Sequence, residues 1–242
     1  MQKFIVKKRL SMYQMDPAGS LRPLMLMNEL QSVAGDHAEI LGVGMSFCIK
    51  NNLAWVALFF HVDIIRMPAG QEEITIETWP SSRDALRTTR DYIIKDAAGE
   101  TLVRATSQWV MIDIEKRRPA PLAGRLPEFE LSGERALETP FDKFPDFAPD
   151  FSESVKPRYD DFDINQHLNN AVYAVWATEA LGIEFREKHK LRGISLNFKK
   201  EIPMDGADIK VETLREGLKT RHRIVSGDAV NAYVMCEWNN AN

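Results

Sequence analysis

Between Tyr159 and Tyr173 the chain reads Tyr-Asp-Asp-Phe-Asp-Ile-Asn-Gln-His-Leu-Asn-Asn-Ala-Val-Tyr. Three carboxylates, three Asn, a Gln and a His stand directly before an apolar, helix-like run. A helix N-terminus needs far fewer such side chains to satisfy its free N–H groups. Asp163, Asn165 and His167 alternate, so in extended chain they project to one side. The helix start beyond them adds outward-pointing N–H groups. An acid, an amide, an imidazole and a positive helix end are the parts needed to hold a carbonyl and activate a water. Taken singly, each residue is also explained by a polar loop, with Asn169 or Asn170 as the helix cap and acids suiting the helix dipole. The cluster is not.

The elements that must carry this loop occur twice. Ile64–Thr78, IIRMPAGQEEITIET, resembles Lys199–Thr213, KKEIPMDGADIKVET. Thr78 over Thr213 brings Pro68 over Pro203, Ile74 over Ile209 and Ile76 over Val211. Upstream of each copy lies one helical segment. The first is Leu21–Gly42, with Leu26, Leu30, Val33 and His37 in phase; the second runs from about Asn170 to Phe185, with Val172, Trp176, Ala180 and Ile183 on one face. Downstream, alternating segments turn at Asp96–Gly99 and at Ser226–Asp228 and read as hairpins. Each half is therefore strand, helix, then about four strands. The expected organisation is a domain over 1–114, a linker over 115–152 holding six of the twelve prolines, and a second domain over 153–242. The fold class is α+β, with an antiparallel sheet curled round one helix in each half.

The repeat supplies an internal control. Placing Asp16 over Asp163 puts Ala18 over Asn165 and Ser20 over His167. The fold position keeps the acid without the amide or the imidazole, so the fold does not demand them. Glu201 aligns with Arg66 and is a candidate to orient His167 or to act as a base itself; an edge-strand surface Glu beside Lys199 and Lys200 is the plain alternative.

Other features point elsewhere or nowhere. His37 and His61 have apolar neighbours and read as packed; His189 and His222 stand among Lys and Arg and read as solvated. No HExxH or clustered ligand spacing indicates a metal, and no cofactor is expected. Gly42-Val-Gly44 follows a helix rather than a strand, which makes it weak as a dinucleotide loop. No GxSxG elbow occurs. With a net charge of −4, no basic field would draw nucleic acid. No stretch is apolar enough to span a membrane. Cys48 and Cys236 form no paired motif, which fits a reducing compartment, and the N-terminus does not read as a signal peptide. The expected location is the cytoplasm.

At this point the chain resembles the plant and bacterial acyl-acyl carrier protein thioesterases. The family pattern is close to DxDxNxHxNNxxYxxW, and Asp161, Asp163, Asn165, His167, Asn169, Asn170, Tyr173 and Trp176 meet it. The likeness extends to LMNELQSVAGDHAE, to the strand pair beginning NNLAWVALFF and to RATSQWVMIDIEKRRPAPL. It implies a tandem double hot-dog fold. It also implies hydrolysis of fatty acyl thioesters, with acyl carrier protein bearing an acyl-phosphopantetheine as partner; a homodimer is left open. The family's site residues carry over to Asp163, Asn165, His167 and Glu201. Many plant members have a Cys after that Glu; here it is Ile202, so a covalent cysteine route is not expected. Plant members also carry a plastid extension, and none is expected here.

The expected chemistry is attack of water on the thioester carbonyl, activated by His167 and Glu201. Asn165 would position water or carbonyl. Asp163 would hold the loop or move a proton. Amides near Asn169 and Asn170 would polarise the oxygen. The first domain would bind the acyl chain, through Met25 and Met27 of its helix and Trp55 and Phe59 of its first long strand, although ordinary core packing explains most of these. An acyl-CoA thioesterase and a non-catalytic acyl-binding module are the rival readings.

Overall fold

A computed structural model describes residues 3–138, 141, 144–204 and 208–241. The chain forms two compact units, Met1–Leu21 with Asn28–Pro140, and Arg22–Met27 with Phe141–Asn242.

The first unit contains β1 (Phe4–Arg9), α1 (Pro23–Ile40) apart from its first five residues, which are grouped with the second unit, α2 (Met45–Asn51), β2 (Leu53–Ile64), β3 (Glu73–Arg83), β4 (Arg87–Lys95), β5 (Thr101–Asp113) and the short β6 (Arg118–Pro119). Its antiparallel sheet runs β1-β3-β4-β5-β2, with β6 against β5. Leu30, Val33, Ala34 and His37 of α1 are buried at helical spacing, which gives the helix one apolar stripe to pack. Trp79, Tyr92 and Phe60 are the largest fully buried side chains of this sheet. Gly42 takes φ +71 where α1 ends, and a side chain on Gly44 would strike Glu39. Gly42-Val-Gly44 is thus a tight turn between helices.

The second unit contains β7 (Phe151–Val155), α3 (Asn170–Glu179), α4 (Gly182–Lys188), β8 (His189–Phe198), β9 (Ile209–Glu216), β10 (Lys219–Ser226) and β11 (Ala229–Asn240). Its order, β7-β9-β10-β11-β8, repeats the first unit strand for strand. Register repeats too: Phe4 faces Thr78 and Phe151 faces Thr213. Seven of the ten residues of α3 are buried, four of them Ala or Thr. A helix apolar on nearly all sides must be enclosed, and α3 touches β8, β9, β10 and β11.

Three expectations are corrected. The second helical segment is broken rather than continuous to Phe185: Gly182 takes φ +76, and Ile183 lies exposed beyond the break. His222 is not solvated but fully buried, bonded to Thr213 Oγ1 at 3.0 Å and Thr220 Oγ1 at 2.9 Å. Burial pushes its imidazole down to about 3. The neighbouring cations alternate with it along β10 and point away, which charge counting along the sequence overlooks. Finally, the proline-rich segment is not a bare tether. Arg118–Pro119 pair with β5, Ala120 and Leu122 are buried, and Arg135 Nε donates to the buried Asp91 at 3.0 Å. Proline blocks interior pairing but not docking at an edge. Residues 139, 140, 142 and 143 of that segment, and 205–207 of the second repeat copy, lie outside the described residues.

Candidate active site

The loop that opens the second unit is built on Asp163. Its Oδ1 accepts from the N–H groups of Asn165 at 2.8 Å and His167 at 3.3 Å. The Asp163 N–H donates to His167 O at 2.8 Å, which closes the loop. Gln166 sits at its tip with φ +61, a left-handed conformation that favours glycine. The first unit has the same loop: Asp16 Oδ1 accepts from Ala18 and Ser20, both at 2.9 Å, and Gly19 holds the tip with φ +77. Asp163 is therefore the loop's organiser, and its hydrogen-bonding pattern does not depend on the chemistry. Its carboxylate also lies 3.5 Å from Asn165 Nδ2.

Two further contacts place the loop. Buried Asp161 accepts from the Arg158 backbone N–H at 2.9 Å and from its guanidinium at 2.9 Å. Leu168 N–H donates to Ile202 O at 2.9 Å, and His167 bridges to Pro203. That bond draws the strand end beyond β8 against the loop, and with it Glu201. His167 Nε2 then lies 3.4 Å from Glu201 Oε2. Both side chains are partly exposed, so water reaches the pair. The structure thus brings together the two residues expected to activate water, across a sequence gap that periodicity cannot bridge.

Glu201 does not stand where Arg66 stands. Leu102 O accepts from Ile65 and Arg66, as Asn231 O accepts from Lys199 and Lys200; Leu21 donates to Pro68 O, as Leu168 donates to Ile202 O. These bonds pair Arg66 with Lys200 and Met67 with Glu201. The turn before β9 is one residue longer than that before β3, which shifts the alignment. The contrast sharpens: where the second unit has a carboxylate, the first has an apolar thioether.

The helix amides are not available in the expected way. Asn169 Oδ1 caps α3 by accepting from Ala171 N–H at 2.8 Å, and Val172 N–H donates to Asn169 O at 2.9 Å. Asn169 is a cap, and these two donors are spent inside the helix. Asn170 is half-buried at its first position. Trp55 is also committed: its indole N–H donates to Val43 O at 2.8 Å, and its ring packs beside Cys48, Leu53 and Met111. Met27 is buried, whereas Met25 and Phe59 keep part of their side chains accessible. Two residues went unremarked as site parts. Tyr173 is buried and its hydroxyl accepts from the Ile202 N–H; burial, then the Glu201 charge, push its phenol up. Asn231 in β11 contacts the same strand end through its side chain. Tyr173 had a signal in its place in the family's pattern; Asn231 had none in the alternation of β11, where it falls in phase with Tyr233, Met235 and Glu237.

Neither cysteine serves the site. Cys48 and Cys236 are free and buried. Burial, with the Glu39 charge second, pushes the Cys48 thiol up to about 11, and burial pushes Cys236 up to about 12. Both are held as thiols, the less nucleophilic form.

Two units, each a helix enclosed by an antiparallel sheet and one bearing the His167–Glu201 pair, define a double hot-dog protein. Residues 1–126 match the acyl-ACP thioesterase N-terminal domain and residues 146–240 the acyl-ACP thioesterase C-terminal domain. The chain belongs to the acyl-ACP thioesterase family. It is 33% identical over 199 residues to oleoyl-acyl carrier protein thioesterase 2, chloroplastic, of Arabidopsis thaliana, covering 74% of this chain and 54% of that protein. The chain thus spans about half the length of the curated relatives it matches. Several solved structures share its fold. The acyl-ACP thioesterase of Bacteroides thetaiotaomicron superimposes with a TM-score of 0.87 at 22% identity, over 98% of each chain. The 12:0-ACP thioesterase of Umbellularia californica gives 0.84 at 23% identity, over 99% of this chain and 98% of that one.

Proposed function

We propose that this protein hydrolyses the thioester of fatty acyl-acyl carrier protein to free fatty acid and the carrier's thiol, by direct attack of water. The observation that carries this reading is the approach of His167 Nε2 to Glu201 Oε2 at 3.4 Å, on the loop that bears the family's pattern. A carboxylate beside an imidazole can orient it and share the proton taken from water. Water adds to the carbonyl carbon, the carbon–sulfur bond breaks, and the proton passes to the departing thiolate. Asn165, held beside Asp163, offers an amide to the carbonyl or the water. The inert state of both thiols supports a route without an acyl-enzyme, and their free state supports a reducing compartment such as the cytoplasm. Met25 and Phe59 are candidates to touch the acyl chain, each to be checked by a shift in chain-length preference on substitution.

Acyl-carrier-protein thioesters of graded chain length, with released acids read by mass spectrometry, test the reading. The wild type is expected to release free acid, and His167→Ala and Glu201→Gln to lose at least about 100-fold in kcat. Full activity in either variant sinks the assignment. Equal or faster turnover of the matched coenzyme A thioesters reassigns the carrier, and acyl binding without hydrolysis makes the protein a binding module.

A further inference from the structure

The Glu201 side chain is half-exposed, so its aim at His167 depends on how its backbone is held. Asn231 does most of the holding. It is fully buried in β11, between β8 and β10. Its Nδ2 donates to Lys200 O at 3.2 Å and to Glu201 O at 3.3 Å. Its backbone oxygen accepts from Lys199 at 2.8 Å and Lys200 at 3.1 Å. The next peptide is gripped from the other side, where the Tyr173 hydroxyl accepts from Ile202 N–H.

The first unit shows what the fold alone requires. There Leu102 stands in place of Asn231 and its backbone oxygen makes the same two bonds, to Ile65 and Arg66. Leu26, the fourth residue of α1, stands in place of Tyr173, the fourth of α3. The fold thus needs the strand carbonyl but neither the carboxamide nor the hydroxyl. Both occur where a carboxylate must be aimed, and both are replaced by leucine where none is present. The carboxamide is also costly, because Asn231 Oδ1 is buried without a hydrogen-bond partner among the described residues.

We propose that Asn231 is a positioning residue for thioester hydrolysis: its carboxamide fixes the Glu201 backbone and so keeps the carboxylate facing His167. The inference rests on reading His167 and Glu201 as the reacting pair. It is tested by Asn231→Leu, which installs the first unit's residue, alone and combined with Glu201→Gln. The single variant is expected to fold with an unchanged or higher Tm, to keep KM within about 3-fold and to lose about 10- to 100-fold in kcat, the scale of a small misplacement of a reacting group. On the Glu201→Gln background it is expected to cost less than about 2-fold, because the group it positions has gone. Tyr173→Phe, which keeps the ring, is expected to show the same non-additivity and serves if Asn231→Leu fails to fold. Wild-type kcat in Asn231→Leu, or an equal fold-loss on both backgrounds, overturns the proposal. If Glu201→Gln itself keeps full activity, the reading of the pair fails as well, and that result is separable because it needs no Asn231 variant.

Discussion

The clearest test of how the loop works is to separate the oxygen of Asp163 from its charge. Asp163 Oδ1 holds two backbone N–H groups, at 2.8 and 3.3 Å. A hydrogen bond of this kind contributes about 1 kcal/mol net, and the loop is exposed, so no larger charge-assisted value applies. Asp163→Ala removes both and weakens the ordered loop by about 2 kcal/mol, which limits the loss in kcat/KM to about 30-fold. Asp163→Asn keeps a carbonyl oxygen in the same place and is expected to retain most of the activity, within about 5-fold of wild type. Initial rates of acyl-thioester hydrolysis at matched pH decide the matter. Equal collapse of both variants, by about 100-fold or more, would refute the reasoning and make Asp163 a proton-transfer group. Asp16→Ala provides the control, since the same two bonds break in a loop without the imidazole.

Two other outcomes follow from the structure. His222 is neutral when folded, its imidazole held down at about 3, whereas in the unfolded chain it titrates near about 6.5. The unfolded state therefore binds the extra proton, so the stability His222 contributes is present above about pH 6.5 and is lost as pH falls towards about 3. Urea unfolding at about pH 7.5 and about pH 5 is expected to show about 2 kcal/mol of this loss, absent in His222→Gln; an unchanged pH slope in the variant contradicts it. Arg135→Met is expected to destabilise the first unit by about 2–3 kcal/mol in the same assay, because it leaves the fully buried Asp91 carboxylate with the Ala136 N–H but without its cation. A change below about 0.5 kcal/mol would show that the segment after β6 contributes no stability to that unit.

The repeat was legible because strands and helices impose their periods on the residues themselves. Thr78 over Thr213, the glycines at 42 and 182 and the hairpin turns all rest on local backbone geometry, and the register of β1 on β3 and β7 on β9 agrees with them. The cluster from Asp163 to His167 was legible for a related reason: Ala18 and Ser20 prove that the same loop folds without its chemistry. The alignment failed at Glu201, where one extra residue in a turn costs almost nothing locally yet moves the pairing by one position.

By itself, then, the sequence determined two copies of one helix-and-sheet unit, the loop that carries His167, and the absence of any reactive cysteine beside it. Only the tertiary structure decided how closely His167 and its expected partner Glu201 approach, that Asn169 consumes helix amides expected to face a substrate, and that His222 is buried between two threonines. It alone revealed Asn231. The physical reason is the same in each case. Local periodicity is written in neighbouring residues, but a hydrogen bond from β11 to the Glu201 backbone joins positions thirty residues apart, and only the closed sheet brings them within 3.3 Å.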